Sequence, residues 1–125
     1  MRKNLCRSRY LLEALAIARR AVDIVSEKQA GDILLLDLRA VCNFTDFFVL
    51  CSGESEPQID AICDDLDGLL HREGVTLLHR EGTPDSGWVL LDFGDVIVHV
   101  FHPEQRAFYR LEQLWGAATP VLHIQ

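Results

Sequence analysis

A chain of 125 residues, 49% of them hydrophobic, is the size of one domain with its own apolar core and leaves no room for a second. Its net charge of -7 and pI near 5.1 exclude broad, sequence-independent nucleic-acid binding, which needs Lys and Arg to neutralise phosphates, so direct DNA binding is not expected. No apolar run approaches a membrane span and no secretory leader pattern opens the sequence, so the expectation is a cytoplasmic protein with no membrane contact.

Residues 1–9 are basic and polar and read as a flexible tail. From Tyr10, Leu11, Leu12, Leu15, Ala18, Val22 and Val25 recur at helical spacing, and Ala30-Gly31 ends that helix. Ile33-Leu34-Leu35-Leu36 lies in a buried strand over 32–38, and 46–52 is a second strand, apolar on both faces. Ser55, Pro57 and Gln58 open a second helix with a capping box, Ile59, Ile62, Cys63, Leu66, Leu69 and Leu70 form its stripe, and Gly74 ends it. A third strand is predicted over 75–81 and a turn-rich loop over 82–87.

Trp88 to Phe101 then reads as a hairpin turning on Gly94-Asp95. Pairing Phe93 with Val96 puts Val89, Leu91, Phe93, Val96, Val98 and Val100 on one wholly apolar face. The other face carries Trp88, Leu90, Asp92, Ile97, His99 and Phe101, too apolar for open solvent and too polar for a dry core. After Pro103, a short helix carries Ala107, Phe108, Leu111, Leu114 and Trp115, and 116–125 reads as a second flexible tail. The expected fold is α/β (α+β), a mixed five-stranded sheet flanked by three helices, with one sheet face partly open.

Several combinations of residues invite an enzymatic reading. Asp65 and Asp67 have the spacing of a two-metal carboxylate pair, but two residues apart on a helix is roughly 200° of rotation, so they diverge. Ser52-Gly53-Glu54-Ser55 before a helix could cradle a phosphate, yet it has one glycine and its glutamates repel an anion. His99 and His102 straddle a strand end and point apart. Cys6, Cys42, Cys51 and Cys63 match no zinc or redox spacing and read as reduced thiols, Cys51 and Cys63 among them as packed apolar groups. No catalytic residue, metal or cofactor is assigned. Trp88 and Tyr109 read as interface anchors or core rings, and Asp46, Asp92 and Asp95 as turn and cap residues or recognition groups.

Thr45-Asp-Phe-Phe-Val-Leu-Cys-Ser-Gly53, Ser55, Gln58, Ala61-Ile62, Trp88, Asp92-Phe-Gly-Asp-Val-Ile-Val-His-Val-Phe101 and Arg106-Ala-Phe-Tyr-Arg-Leu-Glu112 with Trp115 together resemble the ribosomal silencing factor (Iojap, RsfS) family. The resemblance spans roughly residues 10–118. It implies a nucleotidyltransferase-like fold lacking the catalytic carboxylates. It also implies binding to the large ribosomal subunit through its protein number fourteen, which blocks subunit joining and represses translation under nutrient limitation. The chain departs from the family at Lys28-Gln-Ala-Gly-Asp-Ile33 and at Glu54. On this basis the partner-binding candidates are Trp88, Leu90, Asp92, Asp95, His99, Phe101, Tyr109 and, more weakly, Asp46. The rival readings are a metal-dependent nucleotidyltransferase-like enzyme and a scaffold homodimer using the same face.

Overall fold

The computed structural model describes residues 2–109 and 119–124, with side chains over 13–106 and 119–124. Its elements run α1 (Arg2–Glu27), β1 (Gly31–Asp37), β2 (Phe47–Ser52), α2 (Glu56–Arg72), β3 (His79–Thr83), β4 (Trp88–Asp92), β5 (Val96–Phe101), α3 (Pro103–Tyr109) and β6 (Thr119–Ile124). The strands form one sheet in the order β3-β4-β5-β2-β1-β6. β2 and β5 pair in parallel and every other neighbouring pair is antiparallel, giving the mixed α+β architecture expected.

β2 and β5 lie at the centre because both are apolar on alternate faces, and every residue of each is buried. One sheet face packs on α1 and α2: Phe47, Val49, Cys51, Val89, Leu91, Val98 and Val100 meet Ala18, Val22, Ile59, Ile62 and Leu66. The opposite face holds a smaller cluster of Leu34, Leu36, Leu38, Phe48, Leu50, Ile97 and Phe101, with Trp88 and Leu90 at its margin. That face is therefore less open than the alternation of residues predicts. Burial also raises the thiols of Cys51 to about 12 and Cys63 to about 11, so both stay protonated as packed apolar groups.

Three elements differ from the sequence reading. α1 begins at Arg2, not Tyr10, because the polar opening stretch contains neither Gly nor Pro to stop a helix. β3 lies at His79–Thr83 where the pattern favoured 75–81; the apolar Val75 and Leu77 pack on the core from a loop, and the edge strand itself is fully exposed. Among the described residues the sheet has six strands, not five. Residues 119–124, read as part of a tail, pair with β1 along Ile33 to Asp37 and occupy the edge that β1 would otherwise leave unpaired. The predicted helical residues beyond Tyr109, Trp115 included, lie outside the described residues.

At the junction between α1 and α2 one side chain ties the end of the first helix to the start of the second. α1 ends in a Schellman arrangement, with Ala30 N–H donating to Val25 O at 3.0 Å and Gln29 N–H to Ser26 O at 2.9 Å. This puts Gln29 at φ 61, a left-handed conformation that favours glycine. Gln58 from α2 secures it: its Nε2 donates to Lys28 O at 3.2 Å and Gln29 O at 3.1 Å, while its Oε1 accepts from Glu54 N–H at 2.7 Å. The predicted capping box is thus half formed. Ser55 Oγ accepts from Gln58 N–H, but the glutamine side chain reaches Glu54 and α1 instead of Ser55. Relieving the left-handed strain with Gln29→Gly should raise stability by about 0.5–1 kcal/mol, seen as a higher urea midpoint with an unchanged slope.

Candidate functional site

The hairpin has the register predicted from its sequence. Trp88 lies opposite Phe101, Leu90 opposite His99 and Asp92 opposite Ile97, and Phe93 N–H donates to Val96 O at 2.9 Å. Gly94 takes φ 94, which the tight turn requires, and Asp92 Oδ1 accepts from Gly94 N–H at 2.7 Å, so the carboxylate also fastens the turn. Asp95 O accepts from the N–H groups of Asp46 and Phe47, tying the tip of the hairpin to the entrance of β2. Asp46, Asp92 and Asp95 all sit half-buried around this end of the sheet.

On the face away from α1 and α2, Trp88, Leu90 and Asp92 alternate along β4 and remain half-exposed. Beneath them the chain is closed. Phe101 is 0% exposed, His99 4% and Ile97 6%. The Trp88 ring stacks on Phe101 with centroids 5.0 Å apart and planes inclined by 28°, and its Nε1–H donates to His99 Nδ1 at 3.2 Å. His99 in turn lies nearly parallel to Phe101 and meets Phe48 edge-on at 4.6 Å. Of the eight predicted contact residues, the structure gathers Trp88, His99 and Phe101 into one ring cluster and leaves only Trp88 of these at the surface. His99 and Phe101 support the face from below. Tyr109 lies in α3, and its side chain is outside the described residues.

A cleft of about 310 Å³ opens beside this cluster, lined by Glu81, Gly82, Ser86, Trp88 and Leu90. Sequence reasoning missed Glu81, Gly82 and Ser86, which it placed at the end of a strand and in a loop. Glu81 Oε1 pairs with His79 Nε2 at 2.8 Å, and Ser86 Oγ donates to Thr83 O at 2.7 Å, closing the single 3-10 turn Pro84–Ser86. Arg106 was also missed as a structural element. It is 5% exposed, donates to Asp32 O and Ser52 Oγ, and pairs with Asp32 Oδ2, so α3 is lashed to the start of β1 and the end of β2. The supposed phosphate cradle has a packing origin: a Cβ on Gly53 would stand 2.7 Å from Ile59 Cγ1. Asp65 pairs with Lys28 at 3.2 Å on the outside of α2.

Burial pushes the His99 imidazole down from 6.5 to about 4. Its Nδ1 accepts the indole proton, so the neutral ring carries its own proton on Nε2, a buried atom with no acceptor among the described residues. In the unfolded chain the same ring titrates near its ordinary value. Below that value the unfolded state binds a proton that the folded state refuses. Stability should therefore fall between about pH 6.5 and 4, by on the order of 3 kcal/mol, and this part of the acid sensitivity should vanish in His99→Phe. Urea melts at pH 7.5, 6, 5 and 4.5 check this; equal slopes against pH in both proteins would contradict it.

The family model described as "Ribosomal silencing factor during starvation" matches residues 11–125. Over 101 residues the chain is 42% identical to a Halalkalibacterium halodurans protein named ribosomal silencing factor RsfS, covering 81% of this chain and 86% of that one. Over 109 residues it is 40% identical to the chloroplastic protein Iojap of Zea mays, covering 87% of this chain and 47% of that longer one. The structure resembles that of a Chromobacterium violaceum protein at a TM-score of 0.78 and 31% identity, over 82% of this chain and 85% of that one. It also resembles a Bacillus halodurans protein at a TM-score of 0.72 and 37% identity, over 91% of this chain and 98% of that one. With its whole sheet, α2, most of α1 and the hairpin face inside the matched region, the chain belongs to the ribosomal silencing factor family.

Proposed function

We propose that this protein represses translation by binding the large ribosomal subunit through its protein number fourteen, occupying the place where the small subunit docks. The observation that carries this reading is the half-exposed stripe of Trp88, Leu90 and Asp92 on an acidic member of the silencing family. Trp88 and Leu90 supply amphipathic and aliphatic anchors, and Asp92, with Asp46 and Asp95 at the same end of the sheet, complements a basic ribosomal protein. The mechanism is steric occlusion, without catalysis or a required cofactor, in the cytoplasm where subunits meet.

A subunit-joining assay with purified ribosomal subunits tests this. Adding the protein should lower the fraction of joined ribosomes in proportion to the fraction of large subunits it occupies; unchanged joining at full occupancy overturns the occlusion mechanism. Saturable nucleotide binding with turnover in magnesium would return the enzyme reading. A second copy seated on the same stripe is the competing occupant. If sedimentation finds a homodimer, large subunits should convert it to bound monomer.

A further inference from the structure

We infer that His99 is a positioning residue for the docking face: it does not meet the partner, but orients the indole of Trp88 that does. The inference rests on the reading above, in which Trp88 contacts the large subunit. His99 and Trp88 are diagonal neighbours across the β4 and β5 pair, within reach of long side chains. Stacking on Phe101 sets the plane of the indole but does not by itself choose the direction of its N–H edge within that plane. The 3.2 Å bond from Nε1–H to Nδ1 makes that choice: it turns the N–H edge toward His99 and so bears on which edge lines the cleft beside Leu90 and Glu81.

The surroundings of His99 argue that packing alone did not select it. The buried residues of the cluster on this face are Leu34, Leu36, Leu38, Phe48, Leu50, Ile97 and Phe101, all apolar. An imidazole among them carries a buried Nε2–H with no acceptor among the described residues, a burden that a phenyl ring would not bring. What the imidazole alone provides is an acceptor aimed at the Trp88 indole. Orienting the ring before binding reduces the freedom lost on association, so the contribution appears in partner affinity and not in fold stability.

Two variants separate the two roles. His99→Phe keeps the ring contacts and removes the acceptor: its urea midpoint at pH 7.5 should equal or exceed that of wild type, while its affinity for purified large subunits falls about tenfold. His99→Asn places a side-chain oxygen near the Nδ1 position: it should be less stable, yet bind within about twofold of wild type. Wild-type affinity in His99→Phe, or affinity losses that simply follow stability losses across both variants, overturns the inference. Trp88→Ala run alongside distinguishes the two levels of failure, because if it binds like wild type the docking reading itself falls and His99 loses its role with it. A measurement on the unaltered protein covers the case in which a variant does not fold. Nitrogen-15 NMR should find His99 protonated on Nε2, with a slowly exchanging Trp88 indole proton, from pH 5.5 to 8. A proton on Nδ1 overturns the assignment.

Discussion

Trp88→Ala should raise the protein concentration needed to block subunit joining by about thirtyfold or more, the loss of roughly 2 kcal/mol that a central interface tryptophan typically carries. The ring is half-exposed and stacked on a fully buried Phe101, so truncation also uncovers apolar surface. Stability should fall too, by about 1–2 kcal/mol, and binding is therefore measured at low temperature and without denaturant. Asp92 needs a finer comparison, because its Oδ1 accepts from Gly94 N–H and holds the turn. Asp92→Asn retains an oxygen for that bond and loses only the charge. It should weaken binding a few-fold, mainly through a slower and less salt-sensitive association. Asp92→Arg adds repulsion against a basic partner and should lose about as much as Trp88→Ala. If Asp92→Asn, which keeps the turn bond, binds like wild type, the turn and not the charge is what the partner reads.

The second large effect concerns a glycine beside the same face. Gly82 sits at φ 81 opposite Val89, and a Cβ there would stand 2.1 Å from the backbone oxygen of Trp88. Neither atom belongs to a flexible side chain, so Gly82→Ala must push β3 away from β4. It should cost about 3 kcal/mol or more. The displaced strand forms one wall of the cleft, so docking should weaken as well. Gly68 provides the opposite case, inside α2 with no atom within 4 Å of an added Cβ. Gly68→Ala should stabilise the protein by about 1 kcal/mol. Denaturant melts of the two variants, measured together, ask whether the space around each glycine sets the sign.

The hairpin was legible because everything that defines it is local: Gly94-Asp95 sets the turn, and a period of two sets the faces. α2 was legible for the same reason, its cap, proline and apolar stripe lying within a few turns of one another. β3 was misplaced because an exposed edge strand, His79-Arg80-Glu81-Gly82-Thr83, has no apolar alternation to report it, while Val75 and Leu77 imitate a strand from a loop. β6 was missed because its reason for being a strand lies far away in sequence, in the unpaired edge of β1. The candidate site was half legible. Alternation identified which residues share a face but could not tell how deeply each is covered, so buried His99 and Phe101 were grouped with half-exposed Trp88.

The parallel pairing of β2 with β5 also bears on how the chain is made. Phe47 finds Val96, and Ser52 finds Phe101, so β2 emerges during synthesis long before the strand that completes it. By then α1, β1 and α2 already exist, and they can cover one side of β2 and pair one of its edges. Its other edge must wait. Closing so long a loop is slow, and an apolar central strand with an unpaired edge is prone to the wrong neighbour in the meantime. The carbonyl of Asp95, bonded to the amides of Asp46 and Phe47, fixes the register at which that late closure ends. A member of the silencing-factor family thus reaches its own folded form only when the ribosome making it has read past residue 101.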